Sequence, residues 1–125
     1  MKRPRQLALL YSAARAGLGM ALLGSPSWLA EGWLGRDAQR PAVGVAVRGL
    51  AARDIALGLG AIDAIRRERA PAPWLLAAAA GDLTDMAVSL AAGPALPKLS
   101  RWGTPMLAGT GAAVGTALAL ASRRV

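Results

Sequence analysis

Four long apolar runs, separated by short polar or proline-rich connections, make up most of the chain. They cover residues 6–24, 42–62, 74–92 and 103–121. Each run is close to the ~20 residues that a helix needs to cross ~30 Å of hydrocarbon. The pattern therefore predicts an all-α fold, in which a single domain of residues 1–125 forms an antiparallel bundle of four transmembrane helices.

Prolines lie where the apolar runs begin and end. Pro26 follows the first run and Pro41 precedes the second, as expected of a residue that has no amide hydrogen to donate within a helix. Between them, Trp28 and Trp33 predict a short amphipathic segment in the lipid headgroup region, where tryptophan is enriched. Residues 93–102 predict a loop, broken by prolines, before the last helix.

The charges indicate a membrane orientation. The chain has 15 basic and 7 acidic residues, a formal net charge of +8, and the basic surplus flanks the apolar runs. Such flanks set orientation and contact anionic lipids, so we predict no nucleic-acid partner. Eight basic residues lie in the head, the second connection and the tail: Lys2, Arg3, Arg5, Arg66, Arg67, Arg69, Arg123 and Arg124. Four lie in the other two connections: Arg36, Arg40, Lys98 and Arg101. This asymmetry predicts that both termini are cytoplasmic.

The chain contains no cysteine and no histidine. Disulfides and thiol chemistry are therefore excluded, and the commonest metal ligand and neutral-pH proton carrier is absent. We accordingly predict no metal and no cofactor, and nucleophilic or metal-assisted catalysis has little support.

Six ionisable residues, three of each sign, interrupt the apolar runs. They are Arg15, Arg48, Arg53, Asp54, Asp82 and Asp85. Charges at this depth are costly and normally pair inside a bundle, so the balanced set predicts one buried network. We expect an arginine of the second helix, Arg53 or Arg48, to bridge the two aspartates of the third. Asp54 would then pair with Arg15, and Tyr11 lies on the same face of the first helix as Arg15.

A network of this kind has three candidate roles. Intramembrane ionisable groups mark ligand sites or proton paths by default, so we predict binding of a small or lipid-like ligand, or proton relay. The residues assigned to this role are Tyr11, Arg15, Arg48, Arg53, Asp54, Asp82 and Asp85. Alternatively, Asp82, Asp85 and Arg53 are the catalytic candidates of an acid–base enzyme of hydrolase, isomerase or cyclase type acting on a lipid-like substrate. In the third role, the charges only fix helix register in a structural or interaction subunit.

Membrane lipids are the expected partners. Gly111 and Gly115 form a small-residue repeat that allows close helix approach, which is compatible with a homo-oligomer. Such repeats are common in alanine-rich helices, so the repeat alone does not establish one.

The chain also resembles a known group of proteins. The stretch from Arg15 through RGLAARDIALGLG (residues 48–60), followed by an aspartate on the next helix, is similar to small four-helix bacterial membrane proteins. These are classed as a domain of unknown function and are distantly similar to DoxX-like proteins. The residues that carry the resemblance are Arg53, Asp54 and Gly58 together with Asp82 or Asp85. It implies a four-span fold in the bacterial inner membrane and brings no established activity.

Overall fold

A computed structural model describes residues 2–123, which are almost entirely helical. The five α-helices are α1 (Arg3–Gly24), α2 (Pro26–Leu34), α3 (Pro41–Arg66), α4 (Ala72–Ala92) and α5 (Lys98–Ser122). Two 3₁₀ turns, Gly35–Gln39 and Gly93–Ala95, follow α2 and α4. No strand occurs between residues 2 and 123, so the predicted all-α class is confirmed.

Glycine and proline set several of the helix boundaries. Gly35 directly follows α2 and Gly93 directly follows α4, and their φ angles of 71° and 45° lie in the left-handed region that favours glycine. The predicted loop over residues 93–102 is wrong in its second half, because α5 already begins at Lys98, directly after Pro97. A proline just ahead of a helix removes no internal hydrogen bond, so a residue that stops one helix can also start the next.

The four long helices pack antiparallel as two close pairs, α1 with α3 and α4 with α5. In the first pair, a Cβ atom added to Gly58 would lie 2.6 Å from the backbone oxygen of Ser12. One added to Gly19 would lie 2.8 Å from the backbone oxygen of Ala51. The two glycines therefore allow the backbones to approach closely. Lighter contacts of α1 with α5, and of α3 with α4, join the pairs into a ring.

Small side chains fill the interior, and large apolar side chains cover the outside. The buried apolar residues are mostly alanines, and Leu75 is the largest side chain that is fully buried. By contrast, Leu99, Met106 and Leu107 on α5 are 72% to 87% exposed. Water-soluble proteins rarely expose a large continuous apolar surface, whereas lipid tails solvate such side chains at no cost.

Three helical segments are long and apolar enough to cross a membrane: Arg3–Gly24, Ala72–Ala95 and Lys98–Ser122. These are compatible with a membrane protein. α3 has sufficient length, at 26 residues, but Arg48 and Arg53 lower its apolar character. The composition of α3 alone therefore does not identify it as a fourth crossing.

Candidate functional site

Arg15 of α1 lies at the centre of a network of charged side chains. Its Nη1 atom donates a hydrogen bond of 3.0 Å to Oδ1 of Asp54 on α3. Its Nη2 atom donates to Oδ2 of Asp82 on α4, and at 3.0 Å to the hydroxyl of Tyr11. The pairing of Arg15 with Asp54 that the sequence predicted is therefore present. One guanidinium ties three of the four long helices together.

Arg53 of α3 forms the second half of the network. Its Nη2 and Nη1 atoms donate to the two carboxylate oxygens of Asp85 at 2.9 and 3.4 Å, and Nη2 also lies 3.3 Å from Oδ1 of Asp54. The predicted bridge from Arg53 to both Asp82 and Asp85 is therefore wrong, because Asp82 is bound by Arg15 instead. The guanidinium reaches Asp85 across Gly81, where an added Cβ would lie 3.2 Å from it.

Two glycines of α5 make room for the network. The Tyr11 hydroxyl donates a 2.9 Å hydrogen bond to the backbone oxygen of Gly111. A Cβ atom added to Gly111 would lie 2.7 Å from Oδ2 of Asp82, and one added to Gly115 would lie 3.2 Å from the Tyr11 hydroxyl. The small-residue repeat noted in the sequence thus accommodates polar groups of the same chain.

Burial differs between the two halves of the network. The side chains of Arg15, Asp54 and Asp82 are only 10% to 11% exposed, whereas Asp85 is 19% and Arg53 is 30% exposed. Ionised groups are costly to bury unless they are paired and hydrogen-bonded. The inner half around Arg15 therefore depends more strongly on its pairing than the outer half around Arg53.

Arg48 does not join the network. Its side chain is exposed and lies near Gly44, so the prediction that it shares the common interior is wrong. Five residues separate Arg48 from Arg53, which places them about 140° apart around the helix. Without Arg48, the network contains two arginines and three aspartates, and its formal charge is −1 rather than zero.

A partly open cavity of about 400 Å³ lies directly against these charges. Its polar lining consists of Tyr11, Arg15, Asp54, Asp82, Asp85 and Thr104. The rest of the lining is predominantly apolar, and includes Leu18, Leu50 and Leu107. A cavity with apolar walls and a few convergent polar groups is the usual form of a small-molecule site.

Trp33 lines the same cavity, although the sequence indicated a headgroup anchor. Its Nε1 atom donates a 3.3 Å hydrogen bond to the hydroxyl of Ser89 on α4. The Ser100 hydroxyl on α5 in turn donates to the backbone oxygen of Trp33 at 2.7 Å. These bonds hold α2 against the ends of α4 and α5. The neighbouring Trp28 is 75% exposed and does not line this cavity.

The geometry limits the chemistry that the aspartates of α4 can perform. Each is bound by a different arginine, Asp82 by Arg15 and Asp85 by Arg53. A pair of carboxylates that share a proton requires the two groups to face each other without such partners. Among residues 2–123, no group of three His, Cys, Asp or Glu side chains is placed to hold a metal ion. Asp82 and Asp85 are therefore not arranged as a carboxylate pair that shares a proton.

Sequence reasoning missed Trp33 and Gly81, as well as Thr104 and the leucines of the cavity wall. A signal for Gly81 exists in its position four residues before Asp85, on the same helix face, where a small residue allows a long side chain to pass. Trp33 carries no comparable signal, since its contact with Ser89 depends on how α2 folds back on the bundle.

The chain matches no protein-family model, no curated protein and no solved structure. The resemblance to DoxX-like proteins therefore stays a prediction. A function has to be derived from the site itself.

Proposed function

We propose that this chain is an integral protein of the bacterial inner membrane that binds a small, lipid-like amphiphile at its buried charge network. In this proposal all four long helices cross the bilayer and both termini are cytoplasmic. The cavity of about 400 Å³ beside Arg15, Asp54 and Asp82 carries the proposal. A network that only locked helix register would be closed and fully paired, whereas this one borders open space.

The shape of the cavity suits an amphiphile. Charged and hydroxyl groups are gathered on one side, and leucines such as Leu18 and Leu107 line another. A polar head would lie against the charges, while an alkyl chain would lie against the leucines and continue into lipid. Apolar contact supplies about 0.8 kcal/mol per buried CH₂ group, so a chain of several carbons gives useful affinity.

The packing of α3 supports a fourth crossing. Arg53 and Asp54, two of the three charges within residues 42–62, are paired inside the protein, whereas the third, Arg48, is exposed nearer the end of α3 that follows α2. Intramembrane charges typically face the bundle interior in this way. α3 also runs antiparallel along α1, a candidate span, over most of its length.

Cysteine accessibility tests the crossing of α3. The chain has no native cysteine, so Ser27→Cys and Ala70→Cys each provide a single labelling site on either side of α3. With four crossings, a membrane-impermeant maleimide labels Ser27→Cys in intact cells, whereas Ala70→Cys is labelled only after lysis. Equal labelling of both sites in intact cells would show that α3 does not cross.

Calorimetric titration of the protein in lipid nanodiscs tests ligand binding. The probes are three ten-carbon amphiphiles with different heads: decanol, decanoate and decyltrimethylammonium. Ala108→Leu adds bulk to the cavity wall, and Ala113→Leu makes the same change at an exposed position of α5 outside the cavity. We expect at least one probe to bind the parent and Ala113→Leu, and to bind Ala108→Leu at least about tenfold more weakly. If no probe binds, or if both variants bind equally, the proposed site is wrong.

A further inference from the structure

The cavity has an excess of negative charge. Among residues 2–123, three carboxylates line it, those of Asp54, Asp82 and Asp85, whereas Arg15 is the one arginine of the lining. Arg53 forms ion pairs with Asp54 and Asp85 but does not itself line the cavity. Even when Arg53 is included, the charges sum to −1. In a medium of low dielectric constant, such an excess attracts cations and repels anions strongly.

Two carboxylate oxygens remain available to a ligand. Among residues 2–123, no donor bonds to Oδ2 of Asp54 or to Oδ1 of Asp82, although both side chains are nine-tenths buried and line the cavity. Asp85 differs, because Arg53 occupies both of its oxygens. The unsatisfied oxygens are acceptors, so they require a donor or a cation rather than an anion.

The arginines provide no equivalent site for an anion. Both terminal nitrogens of Arg15 are bonded to the network, and its remaining Nε atom is buried without a partner. Arg15 uses three of its five N–H donors in the network and its Nε–H is fully buried, so the second N–H of Nη1 is the donor that it retains for a ligand. Arg101 lies one turn before Thr104 on α5 and is not part of the lining.

Trp33 adds a second feature that suits a cation. Its indole lines the cavity, and tryptophan has the strongest cation–π attraction of the aromatic side chains. The Tyr11 ring is already occupied, since the guanidinium carbon of Arg15 lies 5.5 Å from its centroid. Among the described lining residues, Trp33 is thus the aromatic side chain with no cation against its ring.

We infer that the ligand is an amphiphilic cation, an alkylammonium whose head contacts Asp54 and Asp82 and whose chain follows the leucine wall. This inference depends on the proposed function and specifies its ligand class. The ammonium belongs either to the headgroup of a membrane lipid or to a free amphiphilic amine, and both present the same chemistry to the cavity.

The three decyl probes test the charge preference. In nanodiscs of phosphatidylglycerol, with empty discs subtracted, decyltrimethylammonium is expected to bind at least about tenfold tighter than decanol or decanoate. Asp82→Asn and Trp33→Leu, tested separately, are each expected to weaken binding of decyltrimethylammonium at least about tenfold and to change the affinity for decanol little. Asp63→Asn is the control, because it removes one negative charge from an exposed surface pair with Arg67.

The outcomes separate the inference from the proposed function. Binding of decanol or decanoate as tight as that of the cation, lost in Ala108→Leu, overturns the cation preference and preserves the amphiphile site. Cation binding that Asp82→Asn and Trp33→Leu leave unchanged also overturns the inference. If no probe binds in an Ala108-dependent way, both fail. If Asp82→Asn loses helical content, the affinity of Trp33→Leu for decyltrimethylammonium alone decides whether the inference holds.

Nanodiscs that also contain phosphatidylethanolamine distinguish the two sources of the ammonium. If a lipid headgroup occupies the site, the apparent affinity for decyltrimethylammonium falls as the fraction of phosphatidylethanolamine rises, and it falls more steeply than binding of the probe to empty discs of the same composition. If a free amine is the ligand, the affinity falls no more steeply than binding to those empty discs. The first result supports a lipid source and the second a free amine, while the three decyl probes decide the ligand class.

Discussion

Replacing Arg15 by glutamine removes the group that joins α1 to α3 and α4. Glutamine retains hydrogen-bonding capacity but no charge, so Asp54 and Asp82 stay in place with less compensation. The matched variants are Arg53→Gln, in the more exposed half of the network, and Arg48→Gln, which is exposed and outside it. All three changes remove one positive charge from the protein.

The structure gives the expected size of each effect. Arg15 bonds to three side chains, two of them on other helices. Interhelical hydrogen bonds in membranes average about 0.6 kcal/mol and reach about 1.7, and breaking a buried ion pair costs about 3–5 kcal/mol. We therefore expect Arg15→Gln to lower the free energy of unfolding by about 3 kcal/mol. Arg53 is 30% exposed, so solvent screening reduces the expected loss for Arg53→Gln to about 1 kcal/mol. Arg48→Gln should stay within about 0.5 kcal/mol.

Equilibrium unfolding in mixed micelles with increasing sodium dodecyl sulfate measures these values, with helical circular dichroism as the signal. Adding Asp82→Asn to Arg15→Gln should restore part of the loss, because it removes the carboxylate that has lost its cation, whereas Asp54 keeps its pair with Arg53. If Arg15→Gln destabilises no more than Arg48→Gln, Arg15 is not the main stabilising residue of the network. The same conclusion follows if Arg53→Gln is the most destabilising of the three variants.

Two further predictions use the same unfolding assay. Gly58→Ala should cost about 1–3 kcal/mol because its Cβ would meet the backbone of Ser12, whereas Gly49→Ala, on the same helix with open space around it, should gain about 0.5–1 kcal/mol. A gain at both positions would contradict the close packing of α1 on α3. Tyr11→Phe should cost about 0.5–1.5 kcal/mol because the backbone oxygen of Gly111 loses its donor, and an unchanged midpoint would show that this bond is not formed.

The depth of each charged residue along its helix could be predicted from the sequence, whereas the direction in which its side chain points around the helix could not. Arg15, Arg53 and Asp82 each lie near the middle of a predicted apolar run, and the network indeed joins them at that common level. Arg48 was assigned to the same interior because the count of positive and negative charges then balanced. Its orientation about 140° away from Arg53 follows from helix geometry, but only after Arg53 is known to face inward.

Which arginine pairs with which aspartate depends on how the helices pack against each other, and no local sequence pattern encodes that packing. Asp82 and Asp85 share a helix face, which suggested a single arginine between them. The long side chain of Arg15 reaches across to Asp82 instead, and the absence of a side chain at Gly111 leaves room for that carboxylate. The last helix was predicted too short for a simpler reason, since Pro97 was taken as a breaker when it precedes the first turn.

The division of the bundle into two close helix pairs has a consequence for biogenesis. Within the network, the pair synthesised first, α1 and α3, carries Arg15, Arg53 and Asp54, a surplus of one positive charge. The pair synthesised second, α4 and α5, contributes Asp82 and Asp85, two negative charges without a cation of their own. In the proposed membrane arrangement, each half therefore enters the bilayer with an unbalanced charge, and the opposite charges attract the second pair to the first. Residues 1–68 and 69–125, expressed as separate chains, should accordingly co-purify.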